Sequence, residues 1–149
     1  MVTPGVNHLF VDTNILICGT DASSPLASAA ETELEQWRQQ GTELYISVQV
    51  LREYLAVTTR PAPAQTVLPD YPAILANMAS FRSEFHVLED TRLVSEKLGE
   101  LVRRFEVKGR QVHDASIAAT LLTHGLQHLL THNGRDFARF SPHLIVHPL

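Results

Sequence analysis

Phe10-Val11-Asp12-Thr13-Asn14-Ile15-Leu16 passes from apolar residues to a carboxylate, through small polar side chains, and back to apolar ones. The apolar run Leu9 to Val11 reads as a buried strand, Asp12 as a carboxylate at its carboxyl end, and Thr13 or Asn14 as the start of a helix. In open α/β sheets, ligands gather just beyond the carboxyl ends of strands, so Asp12 stands where chemistry is usually done. The plainer reading is an aspartate that only caps the helix behind it. Where the other acids fall weighs between the two.

Outward from this stretch, short apolar strands are expected at Leu44-Tyr45-Ile46, from Phe85 to Leu88, at His128-Leu129-Leu130 and at Leu144-Ile145-Val146. Helices fill the intervals. One opens at Ser23 or Ser24 with Pro25 and ends at Gly41; the next is capped by Ser47. Asp70 with Pro72 starts another, with Ile74, Leu75, Met78 and Phe81 facing inward. Asp90 or Thr91 caps a fourth, and Val112 to His124 is apolar on almost every side and therefore central. Asp136 to Phe140 makes a last helical turn, and the three prolines between Arg60 and Pro69 demand a loop. Strands alternating with helices predict an α/β fold: three α/β/α layers around a small, mainly parallel central sheet.

A chain of 149 residues, 44% hydrophobic and 19% charged, suits one globular domain with a sizeable core. Cys18 is the only cysteine, so no intramolecular disulfide forms and a reducing, cytoplasmic setting is expected. Neither a signal peptide nor a membrane-spanning stretch is expected. A net charge of −4 argues against a protein that coats nucleic acid by charge alone, although a local basic patch remains compatible with it.

Asp114 heads the helical series Asp114, Ile117, Ala118, Leu121, which aligns a carboxylate with an apolar stripe. Burying an unpaired charge costs several kcal/mol, roughly, and a helix dipole returns only about 0.3–1 kcal/mol. Asp114 therefore needs a stronger partner: a metal ion, an arginine such as Arg110, or backbone donors. Glu53 lies on the flank of its helix, where it reaches a cleft from the side or is simply solvated near Arg52. Asp136 and Asn133 follow the strand end at Thr131, as site residues or as an ordinary turn and cap. Together these oxygens suit Mg²⁺ or Mn²⁺, which prefer carboxylates and water and activate water against a phosphodiester.

These motifs, in this order, resemble the PIN domain family, and within it the VapC-type ribonuclease toxins. The resemblance is carried by Phe10 to Leu16, by Ser47-Val-Gln-Val-Leu-Arg-Glu53, by His113-Asp114-Ala115 with Ile117-Ala118-Ala119, and by Leu130 to Phe137. It implies a Mg²⁺- or Mn²⁺-dependent endoribonuclease in which Asp12, Glu53 and Asp114 match the core acids. The family's fourth acid stands two residues after the threonine matched by Thr131. Here Asn133 takes that place, and Asp136 matches a second acidic position found in some members. Thr13 is the counterpart of a residue that orients the first acid or a water. The resemblance also implies an RNA substrate, a small antitoxin as partner and a homodimer, with the segment from residue 60 through the following helix as the partner surface.

Arg104, Lys108, Arg110 and Arg135 lie near these acids in sequence and are candidates to hold RNA phosphates. Basic residues at an exposed helix end are the bland alternative. His124, His128 and His132 recur every four residues, but Gly125 breaks the helix a zinc site would need. Two rivals stand beside the nuclease: a non-cleaving PIN module that binds RNA or protein, and a phosphatase with Asp12 as nucleophile. The phosphatase would want a second aspartate where Asn14 stands.

Overall fold

The computed structural model describes residues 2–61 and 68–149. Strands β1 (His8–Val11), β2 (Glu43–Ser47), β3 (His86–Leu88), β4 (His128–Thr131) and β5 (Ile145–Pro148) form one sheet in the order β3-β2-β1-β4-β5. Every pairing is parallel. Parallel neighbours cannot be joined by a tight turn, so helices make the crossovers. They are α1 (Thr13–Thr20), α2 (Ala27–Gln39), α3 (Val48–Thr58), α4 (Tyr71–Glu84), α5 (Arg92–Arg104), α6 (Gln111–Thr123) and α7 (Gly134–Phe137), the last running into a 3-10 turn at Ala138–Phe140.

The chain steps outward from β1 to β2 to β3, then returns past β1 to β4 and β5. Right-handed crossovers place helices made in the two directions on opposite faces of the sheet. Accordingly α1 packs on α2 and α3, and α3 on α4, while α5 and α7 both pack on α6. The predicted α/β/α layering is present, with an all-parallel sheet. Its direction reverses between β1 and β4, and the crevice beyond their carboxyl ends is where such sheets hold ligands.

Local chemistry explains the element ends. The Ser47, Asp70 and Thr91 side chains accept the N–H groups of Val50, Ala73 and Val94 at the starts of α3, α4 and α5. Gly41 and Gly125 take the left-handed backbone that stops α2 and α6, with φ of +86° and +78°. Leu9, Phe10, Val11, Leu129 and Leu130 are fully buried on the central strands, and α6 buries Ala115 and the run from Ile117 to Leu121. Trp37 and Tyr54 are core residues, and the Trp37 indole donates to Glu33 Oε1 at 3.0 Å.

Several expectations shift. α2 starts at Ala27, because the Ser24 hydroxyl accepts the Leu26 N–H in a turn that precedes the helix. Leu75 points outward and is 60% exposed; Ile74, Met78 and Phe81 fill the inner face and leave it just past the edge. The last turn begins at Gly134 rather than Asp136. Of the expected loop at 60–69, residues 62–67 lie outside the described residues. Among the described residues, no helix is long and apolar enough to cross a membrane.

Candidate active site

Asp12 ends β1 and caps α1, its Oδ1 accepting the Thr13 N–H at 2.7 Å. It does more than cap. Its Oδ2 accepts from the Thr131 hydroxyl at 2.7 Å and from the Asn14 amide at 2.8 Å. Thr131 ends β4, so this bond crosses the crevice where the sheet reverses. Asn14 secures the same crossing. Its Nδ2 also donates to Thr131 Oγ1 at 3.1 Å, and its Oδ1 accepts the His132 N–H at 3.0 Å. Thr131 Oγ1 in turn accepts the Asn133 N–H at 3.0 Å.

Glu53 reaches the same place from α3. Side chains on a helix lean toward its N-terminus, which carries this one back toward the strand end. Its Oε2 accepts from the Thr13 hydroxyl at 2.9 Å, and its Oε1 from the Gln49 amide at 2.7 Å. Glu53 is thus bound into the site and not paired with Arg52, which lies 3.8 Å from Asp90. Thr13 joins the first two acids, giving its N–H to Asp12 and its hydroxyl to Glu53.

Asp114 stands in the first turn of α6, half-buried, and accepts no hydrogen bond and no ion pair among the described residues. The arginine and backbone partners considered from sequence are therefore not made. Asp136 is exposed on α7 yet close enough to be the leading charge acting on Asp114. Asn133 caps α7 without a side-chain bond and lines the cleft, its amide making no hydrogen bond among the described residues.

Burial leads the electrostatics of the site, and repulsion between the acids adds to it. Burial pushes the Asp12 carboxyl up to about 6; the Thr131 and Thr13 hydrogen bonds pull it down, and the Glu53 and Asp114 charges raise it further. Asp114 is also pushed up to about 6, by burial first and then by Asp136 and Glu53, against the pull of His113 and Arg139. Among the described residues, no three His, Cys, Asp or Glu side chains are already gathered as ligands around one point.

Asp12, Glu53 and Asp114 line a single cleft of about 420 Å³ with Asn133, Arg60 and Arg110. Arg110 was singled out from sequence; Arg60 was not. Arg104, Lys108 and Arg135 are exposed and do not line the cleft, and the Arg104 guanidinium lies 5.4 Å from the Phe105 ring centre. Asn14, Gln49 and Arg60 are the site residues that sequence reasoning missed. Asn14 and Gln49 carried no signal beyond standing within the recognised motifs. The three spaced histidines disperse: His124 meets the Thr120 carbonyl, His128 pairs with His147, and His132 is exposed.

The fold is shared with known structures. The VapBC2 complex of Rickettsia felis, solved bound to a DNA fragment from its promoter, matches with a TM-score of 0.73 at 19% identity, over 95% of this chain and 98% of that one. A toxin–antitoxin complex from Klebsiella pneumoniae matches with a TM-score of 0.68 at 23% identity, over 95% and 99%. VapC20 of Mycobacterium tuberculosis, a toxin described as cleaving the sarcin–ricin loop, matches with a TM-score of 0.62 at 20% identity, over 81% and 86%. No curated protein matches in sequence. The family model of the PIN domain matches residues 9–141, nearly the whole chain, and this protein belongs to the PIN domain family.

Proposed function

We propose that this PIN domain is a Mg²⁺- or Mn²⁺-dependent endoribonuclease and the toxin of a type II toxin–antitoxin pair, acting in the cytoplasm. The observation that carries this reading is the convergence of Asp12, Glu53 and Asp114 from β1, α3 and α6 on one cleft, where Asp12 and Asp114 are both pushed up to about 6. Carboxylates crowded at a cost in charge repulsion are what a cation site requires. The donors are oxygens, and among the described residues Asp114 has no hydrogen-bond or ion-pair partner, which fits a hard divalent cation held by one or two carboxylates and water.

Asp12, Glu53 and Asp114 would hold the cation, with Asn133 and Asp136 completing its surroundings. Bound there, it supplies an activated water and charge stabilisation to a phosphodiester under attack. The chain's own residues do the positioning. Thr131 and Asn14 fix the Asp12 carboxylate, and Thr13 fixes Glu53 against it. Arg60 and Arg110 offer guanidinium groups to the flanking phosphates. The relatives titled as toxin–antitoxin complexes support an antitoxin partner. Leu68, Tyr71 and Leu75 are exposed by 78%, 48% and 60% around the start of α4 and supply an apolar surface for the antitoxin or for a second copy in a homodimer.

Asp12→Asn tests the reading: the variant is expected to fold and to lose RNA cleavage, and retained cleavage refutes the assignment. One observation favours the non-cleaving module, namely that no three ligands are already gathered around one point among the described residues. Calorimetry with Mn²⁺ separates the two, since absence of binding at millimolar metal favours the module.

A further inference from the structure

We propose that Gln49 is a positioning residue of this site, whose amide sets Glu53 in place relative to Asp114; the proposal rests on the metal-dependent reading above. Gln49 lies in the first turn of α3 and is 7% exposed. Its side-chain amide nitrogen carries two hydrogens, and both are used. Nε2 donates to Glu53 Oε1 at 2.7 Å and to the His113 carbonyl at 3.0 Å. That carbonyl belongs to the peptide joining His113 to Asp114. One amide therefore touches the Glu53 carboxylate and the backbone that carries Asp114, across the gap between α3 and α6.

The orientation of this amide is dictated by chemistry. Both partners are acceptors, so only the NH₂ end can face them. The other end shows what that costs, since Gln49 Oε1 is buried and has no hydrogen-bond partner among the described residues. An unmet buried acceptor lowers stability. An apolar side chain of similar length would leave no such orphan. Keeping an amide here is unfavourable for packing and is accounted for by what its donor end holds. The Glu53 oxygens then have one donor each, Gln49 on Oε1 and Thr13 on Oε2, which fixes the plane of the carboxylate.

Gln49→Met keeps the length and removes both the donors and the orphan. The test measures two quantities on the full chain: the melting temperature in EDTA, and Mn²⁺ affinity by calorimetry. The expected result is a melting temperature close to wild type, the two lost hydrogen bonds offsetting the removed orphan, together with an affinity lowered roughly 10- to 100-fold, the range found when residues supporting metal ligands are changed. Unchanged affinity overturns the proposal while leaving the metal reading intact. A melting temperature that falls along with the affinity overturns it in favour of a packing role. Wild-type protein that binds no Mn²⁺ removes the metal reading, and this proposal with it. If Gln49→Met does not fold, Gln49→Asn replaces it in the same titration. That variant keeps a buried amide but is one methylene too short to span Glu53 and the His113 carbonyl.

Discussion

Asp114→Asn separates charge from shape at a half-buried acid that accepts no hydrogen bond among the described residues. The Asp114 carboxyl is pushed up to about 6 from an ordinary 3.8, a gap equivalent to about 3 kcal/mol of penalty on the ionised form. The group is only partly buried, so screening by solvent brings the usable figure to roughly 1 kcal/mol. The sign follows from linkage. The folded carboxyl binds its proton more tightly than the unfolded one, so folding takes up protons between about pH 4 and about pH 6. The penalty is full above that window and absent below it. Asp114→Asn therefore stabilises the metal-free protein at pH 7.5 by ~1 kcal/mol, which for a domain of this size raises the melting temperature by about 2–4 °C. At pH 4 the gain vanishes. Saturating Mn²⁺ reverses the order, because binding to the native state stabilises wild type by mass action. Circular dichroism melts in EDTA across this pH range measure the effect. A variant that melts at or below wild type at pH 7.5, or that gains equally at pH 4, refutes the reasoning.

Three further outcomes are expected. Thr131→Val strips a donor from Asp12 and an acceptor from Asn14 and the Asn133 N–H, and lowers stability at pH 7.5 by about 1–3 kcal/mol in urea titrations. Arg60→Ala and Arg110→Ala, each made in the Asp12→Asn background, lower the slope of log affinity for single-stranded RNA against log salt by about 0.7 apiece, while Arg92→Ala, away from the cleft, leaves the slope unchanged; fluorescence anisotropy reads this. His128 and His147 share a hydrogen bond at 2.9 Å, and burial holds both imidazoles below their ordinary 6.5. Folding thus releases protons there, so this pair's contribution is full above pH 6.5 and is lost as pH falls through the lowered values, opposite in sign to Asp114. His147→Gln is expected to shrink the drop in urea midpoint between pH 7.5 and pH 5.5.

The cleft also shows why the acids had to be weighed together. Asp12 is a helix cap, as the plain reading held, and the same carboxylate accepts donors from β4 and from Asn14. Asp12 and Glu53 alone fit ordinary structural roles, a cap and a hydrogen-bonded flank residue, while Asp114 among the described residues has neither. Repulsion between them, felt at both Asp12 and Asp114, is a property of the set.

Sequence by itself determined the local elements and their kind. The strand that stops at Asp12, the caps at Ser47, Asp70 and Thr91, and the glycine stops at Gly41 and Gly125 depend on side chains and backbone within a turn or so. Alternating strands and helices then required a layered, parallel sheet. Only the tertiary structure decided what crosses that sheet. Asn14 bonds across 117 residues to Thr131, and Gln49 across 64 to His113. Arg60 faces the acids while Arg104, Lys108 and Arg135 do not line their cleft. Such contacts follow from strand order, which places β4 beside β1, and from the approach of the start of α3 to the start of α6. No periodicity encodes these, because they arise from packing between segments distant in the chain.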